Sequence, residues 1–533
     1  MIRKIILIAC FFSVRMLFAQ APKELKPIVE IAGTDTNGLF GFYAAGVEDM
    51  NKDGYADFCV SAYKAKRTYL YYGGKNPSKI PAKTFLGGGK IVSGDFNGDG
   101  WRDLAIAYYL TDTVFVYYGG PNMDTIPDVV LHSNFYSSSG VEGFGYDGLQ
   151  AGDINRDGYD DLLVGESQYP YDFSDMTKTF KGRISVYAGS LKGLDSSAVW
   201  SIVGDTAFSR LGLDIAIGDV NGDGEKDIVA LGQNTLSSSS NDWYFYISVF
   251  TVDPSFQFKR NYYLDERNFN SAHYKNSVEF IACFDIDGDG IDDILIGGIY
   301  VFKGGAKLDT MPMYHILPPY NDTSSYGINP WPFGGGDYNK DGIKDLLLRS
   351  GQGGGAPGFR VYMGRKNDVP QFLAYRSFPA SDINPLDGIP YNVGDVNGDG
   401  VDDIMMGTTS AGFPNGFGLI GIYSGDTSIV TEVKPIVGDK PNNFDLKQNY
   451  PNPFNPSTVI SYQLSDRADV ALKIFDEIGK EIVTLVNERQ SAGEHSVRWD
   501  GKSSNGQQVS SGAYFYQLQI NNKVVTKKAV LVK

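Results

Sequence analysis

The sequence predicts an all-β protein: a seven-bladed β-propeller with calcium loops, followed by a small immunoglobulin-like β-sandwich. Three observations predict it. One aspartate-rich loop recurs seven times, each copy runs into a short apolar segment, and six of the seven units close on a strand ending in aromatic-x-Gly or aromatic-Gly. Short apolar runs bounded by glycine read as buried strands. Radial repetition of four-stranded units is the propeller arrangement.

The loops come first. They read DMNKDGYAD, DFNGDGWRD, DINRDGYDD, DVNGDGEKD, DIDGDGIDD, DYNKDGIKD and DVNGDGVDD, with start-to-start spacings of 46, 58, 66, 66, 52 and 58 residues. Positions 1, 3, 5 and 9 always carry Asp or Asn. The predicted ligands are Asp49, Asn51, Asp53 and Asp57; Asp95, Asn97, Asp99 and Asp103; Asp153, Asn155, Asp157 and Asp161; and Asp219, Asn221, Asp223 and Asp227. They continue with Asp285, Asp287, Asp289 and Asp293; Asp337, Asn339, Asp341 and Asp345; and Asp395, Asn397, Asp399 and Asp403. Calcium takes six to eight oxygen ligands, and the position-7 carbonyl would add one more. Position 6 is Gly in every copy, where the chain must turn sharply. Up to seven calcium ions are expected.

An EF-hand begins in the same way but needs a bidentate Glu at position 12 between two helices. Position 12 here is Val60, Ile106, Val164, Ala230, Ile296, Leu348 or Met406. The loops therefore belong to β structure. The first acid of the DD pairs, Asp160, Asp292 and Asp402, reads as an exposed spacer.

The outer strands come next. TYLYYGG, TVFVYYGG and GFRVYMG alternate Val, Tyr and Phe as strands do. Pro81, Pro127, Pro312 and Pro370 follow four such runs, a placement that suits an outer strand, where a missing N–H is tolerated. A ring needs a clasp, and Pro27 to Ala32 is placed to add a strand to the last blade. Phe40-Gly41, Phe144-Gly145 and Leu211-Gly212 precede their loops. This succession of Phe-Gly, aspartate loop, apolar run and aromatic-Gly resembles the FG-GAP repeats of integrin α-subunit propellers and their bacterial relatives over about residues 27–426. The resemblance implies calcium loops on one propeller face. The Gly-Ala-Pro element is mostly replaced, by Ser61-Ala62-Tyr63 for example, so integrin ligand binding does not transfer.

Charge fits the loops. Of 63 acidic residues, 22 sit at ligand positions; without them the net charge of -16 becomes +6, and seven divalent ions would bring it to -2. No basic stripe points to nucleic acid. Cys59 and Cys283 lie in distant repeats and read as free thiols. Arg3 and Lys4 before the apolar run Ile5 to Phe18 read as a signal peptide over residues 1–19, leaving the propeller over 20–426 and no transmembrane segment in the mature chain.

Residues 427–446 are polar and contain Pro435 and Pro441, as a linker does. Residues 447–533 then hold short strands separated by Asn/Gly and Ser/Gly turns, as in a small sandwich. Asn449-Tyr450-Pro451-Asn452-Pro453-Phe454, Trp499-Asp500-Gly501, Ser511-Gly512-Ala513-Tyr514 and the basic tail closely resemble the C-terminal sorting domains of the type IX secretion system. That resemblance implies export across a bacterial outer membrane, with the secretion machinery as partner and a secreted or cell-surface destination.

Chemistry is sparse. His132, His273, His315 and His495 are scattered, and no G-x-S-x-G elbow occurs. A non-catalytic adhesion or glycan/protein-binding protein is expected. Its candidate binding loops are Tyr169 to Phe180, Tyr262 to Tyr274 and Tyr314 to Phe333. A calcium-dependent polysaccharide lyase and a structural surface-layer component are the alternatives.

Overall fold

A computed structural model describes residues 23–35, 38–133, 143–146, 148–170, 174–175, 177–235, 243–253, 256–265, 280–297, 300–308, 312–315, 332–350, 358–366, 370–377, 389–408, 417–429, 444–464, 468–476, 480–490, 493–520 and 523–532. The expected signal peptide and most of the aromatic loops Tyr262 to Tyr274 and Tyr314 to Phe333 lie outside the described residues, as do 171–173 and 176 of the loop Tyr169 to Phe180. Two compact units result, Met1–Glu432 and Val433–Lys533.

Among the described residues, the first unit consists of seven sheets in chain order. The third shows the plan: Leu149–Gly152, Asp161–Glu166, Arg183–Tyr187 and Trp200–Val203 pair antiparallel in sequence. In every sheet the second strand begins at the position-9 aspartate: Asp57, Asp103, Asp161, Asp227, Asp293, Asp345 or Asp403. The apolar runs are these second strands. They are buried because both faces are covered, and successive side chains point to opposite faces. Leu162 and Val164 pack toward the second sheet with Ala105 and Val116, while Leu163 packs toward the fourth with Ile215 and Ile228. The former position-12 residues, from Val60 to Met406, are all buried in these layers.

The first strands line an axis. Phe40–Glu48 neighbours Ile91–Gly94, contacts continue around the sheets, and Ile389–Gly394 lies against Phe40–Glu48. The sheets thus close on themselves as a β-propeller. The clasp forms as the sequence suggests: Pro27–Ala32 pairs antiparallel with Leu419–Tyr423, Ile31 opposite Ile420. Val29 and Ile31 enter a core shared by the last and first sheets. Lys23–Glu24 adds a short parallel pairing to Gln371–Ser377 of the sixth sheet.

The second unit holds a three-stranded sheet of Phe444–Leu446, Thr458–Leu464 and Gly493–Trp499. A four-stranded sheet runs in the order Glu481–Gln490, Ala468–Phe475, Gly512–Ile520, Lys523–Leu531. Ile460, Tyr462, Leu472, Ile474, Tyr516 and Leu518 form one apolar core. The proline-rich segment is built into this body. Phe454 packs on Trp499 with ring centroids 5.2 Å apart. Buried Asn449 donates its N–H to the Tyr516 hydroxyl at 2.9 Å and its Nδ2 to Thr458 Oγ1 at 3.0 Å. Among the described residues no helix is long and apolar enough to cross a membrane.

Candidate functional site

Each aspartate loop winds its backbone around its own carboxylates. In all seven, the position-1 carboxylate accepts the N–H of position 5 on Oδ1 and of the position-6 glycine on Oδ2. In all seven, position 5 accepts the N–H of position 7. In six, the Asn oxygen at position 3 also accepts the position-5 N–H. Short polar side chains hold a tight turn in this way. Gly158 has φ 89° and open space around a notional Cβ, so its absence of a side chain answers to the backbone angle alone.

Positions 1, 3 and 5 thus converge. In the fifth loop, carboxylate oxygens of Asp285, Asp287 and Asp289 lie within 4.8 Å of one another. Position 9 lies behind them, in the interior. Asp57, Asp103, Asp161, Asp293 and Asp345 each accept the position-2 N–H and the N–H of the aromatic-strand glycine, joining the second strand's start to the third strand's end. Burial, reinforced by the loop's other carboxylates, pushes Asp57, Asp103, Asp161, Asp227 and Asp293 up to about 7 and Asp403 to about 8, despite backbone hydrogen bonds that pull the other way. Asp345 is held well above the usual carboxylate range by burial.

The residues fit a hard cation. Asp and Asn offer oxygen donors only, each carboxylate oxygen keeps acceptor capacity beyond one N–H, and the loop charge is strongly negative. Two position-9 oxygens, Asp227 Oδ2 and Asp403 Oδ1, are buried without a hydrogen-bond donor. A buried carboxylate oxygen in that state is costly until a cation or proton satisfies it.

The spacer reading of Asp160, Asp292 and Asp402 is overturned. Each is about one-quarter exposed and caps the loop of the preceding sheet. Asp160 Oδ2 accepts the Asp95 N–H at 2.8 Å, Asp292 Oδ2 that of Asp219 at 2.9 Å, and Asp402 Oδ2 that of Asp337 at 3.0 Å. Their own N–H groups return bonds to the carbonyls of Asp95, Asp219 and Asp337. Each also faces a position-8 cation of the preceding loop: Arg102 at 2.9 Å, Lys226 at 3.7 Å, Lys344 at 3.8 Å. The signal was in the sequence as alternating charge at position 8. Position 4 was missed too. It is left-handed in every loop, from Lys52 at φ 59° to Gly222 at φ 77°, and glycine at four of seven copies marked it.

Every first strand runs into its loop, so its start lies at the other end of the axis. There a cavity of ≈ 730 Å³ opens, lined by Phe42, Tyr43, Lys90, Tyr146, Arg210 and Asp214 among others. Tyr43 meets Tyr146 edge-on at 5.8 Å, and Phe42 stacks on Tyr63 at 5.0 Å. Lys90 bridges to Asp214 at 3.0 Å. Cys59 is a buried free thiol; Cys283 is free but half-buried on the cavity wall.

Fold and loops define a β-propeller built from aspartate-loop repeats, and the repeat matches agree. Residues 49–104, 95–164 and 219–296 match the FG-GAP-like repeat, and 144–187 the FG-GAP repeat. Residues 452–523 match the FlgD Ig-like domain. Integrin alpha-5 of Xenopus laevis is 27% identical over 202 residues, 37% of this chain but 18% of that protein. Among solved structures, a glycoside hydrolase family 43 arabinoxylan arabinofuranohydrolase from Bacillus subtilis aligns at 10% identity and TM-score 0.30, covering 94% of this chain and 96% of that one. PorZ, a bacterial surface component of the type-IX secretion system of Porphyromonas gingivalis, aligns at 12% identity and TM-score 0.19, covering 90% and 69%. At those TM-scores neither likeness carries an argument.

Proposed function

We propose that residues 20–426 form a seven-bladed propeller braced by calcium, non-catalytic, which binds a glycan or protein ligand outside the cell or at its surface. Residues 1–19 act as the signal peptide, 427–446 as linker, and 447–533 as the domain read by the type IX secretion machinery. The observation that carries the calcium reading is the identical wrapping of seven backbone loops around carboxylates at positions 1 and 5. The 28 residues at positions 1, 3, 5 and 9 are the candidate ligands for up to seven ions, with position 9 also bracing the sheet.

The axial cavity opposite the loops supports a binding role. Aromatic faces beside charged and amide side chains suit both sugars and protein side chains. The mature chain is tested on immobilised plant, algal and bacterial polysaccharides, with calcium and with EDTA, while released unsaturated sugar is measured. Calcium-dependent retention without release, lost in Tyr43→Ala, is expected. Release of unsaturated product would instead make the protein a lyase. Retention unchanged by Tyr43→Ala would move the site away from the cavity. For export, truncation before Leu446 leaves the chain in the periplasm; a truncated chain that still reached the medium would remove the sorting role.

A further inference from the structure

The fifth loop departs from the other six in two ways that meet in space. It carries Asp287 where every other copy has Asn, so its ligand positions hold four carboxylates rather than three. Lys303 follows the strand Tyr300–Phe302, just before Gly304, whose N–H donates to Asp293 Oδ1 at 2.9 Å. Its ammonium reaches into the loop and pairs with Asp287 and, at 2.7 Å, with Asp289. At the corresponding place, before the glycine that bonds position 9, four of the other six sheets carry Tyr72, Tyr118, Ala188 and Met363, none of them cationic.

Charge and burial explain why the two departures belong together. Four carboxylates and one ammonium leave three net negative charges, the same as three carboxylates and an amide. Asp287 is 1% exposed, and a buried carboxylate without any partner is strongly unfavourable; Lys303 meets its Oδ2, while its Oδ1 has no hydrogen-bond donor. In five other loops the position-3 Asn donates Nδ2 to the position-5 carboxylate. Asp287 cannot donate, and Lys303 supplies the missing donor to Asp289. The ammonium lies between carboxylates at positions 3 and 5, where a calcium ion would have to sit, and two cations at that distance repel.

We propose that Lys303 is the resident cation of the fifth loop, so that this loop closes without calcium while the other six take the metal. The proposal rests on the calcium reading of those six loops, and the test separates the two. Native mass spectrometry of the calcium-loaded mature chain counts the ions. Six are expected for the wild type, and seven for Lys303→Met and for the double variant Asp287→Asn/Lys303→Met, which restores the pattern of the other loops. Seven ions in the wild type and an unchanged count in Lys303→Met would overturn it. If the wild type bound no calcium, the metal reading itself would fail, and melting in EDTA would judge the lysine. Lys303→Met then melts several degrees lower, and adding Asp287→Asn recovers most of the loss. A single variant melting with the wild type in EDTA would overturn the clamp.

Discussion

The two units of this protein solve the same problem with opposite chemistry. Each must fix long loops between short strands. The propeller does so with carboxylates that accept backbone N–H groups: Asp161 alone ties Ile154 to Gly189. The sandwich does so with neutral groups: Asn449, Thr458 and Tyr516 share one hydrogen-bonded cluster, and Phe454 and Tyr514 pack on Trp499. The difference teaches where each unit is vulnerable. Crowded carboxylates store repulsion that a cation relieves, whereas an apolar core is indifferent to metal and nearly so to pH.

Chelation should separate the two units most strongly. At calcium a hundred-fold above Kd, each filled site adds about 2.7 kcal/mol. Calorimetry of the full chain in EDTA should therefore lower the propeller's transition steeply and leave the sandwich's in place. A propeller transition unmoved by EDTA would sink the calcium reading.

Matched truncations come next. Trp499→Ala removes a ring that is 1% exposed and should cost the sandwich about 3–5 kcal/mol, without touching the propeller transition. Asp161→Ala strands two buried N–H donors and should cost the propeller about 2–4 kcal/mol, read from urea midpoints. Equal effects of each variant on both transitions would show that the units do not melt separately.

Acid sharpens the contrast in the chelated protein. Buried out of water, the position-9 carboxylates Asp57, Asp103, Asp161, Asp227 and Asp293 are pushed up to about 7 in the folded state, against an ordinary 3.8. The folded state therefore holds protons that the unfolded chain has lost. That stabilisation is complete below pH 3.8 for these groups and disappears as pH rises through 7. In EDTA the propeller should melt higher at pH 5.5 than at pH 8. Saturating calcium should flatten or invert the trend, because the metal needs deprotonated ligands. A propeller in EDTA that melts equally at both pH values would contradict the burial of these carboxylates.

The smallest expected effect is at the seams between sheets. Asp160→Ala removes the cap on the Asp95 N–H and the Arg102 ion pair, and should cost about 1–2 kcal/mol, since the pair is only partly screened from water. A double-mutant cycle with Arg102→Ala should show coupling; strict additivity would mean the pair contributes nothing.

The sequence by itself determined the repeat, the strand that follows each loop and the convergence of positions 1, 3 and 5. These follow from short-range rules: residues two to five apart bond within one turn, and an apolar run ending in glycine needs cover on both faces. Even the clasp was legible, because a ring needs a last strand and Pro27–Ala32 was unclaimed. Tertiary structure alone decided what joins residues tens of positions apart. Asp160 reads as a spacer until the sheets are packed, when it lies beside Asp95 across a seam of 65 residues. Lys303 is one cation just past an aromatic strand until the fold brings it to Asp287 and Asp289. The physical reason is that periodicity reports which face a side chain takes, whereas its partner across a sheet or a seam is chosen by the closure of the whole ring.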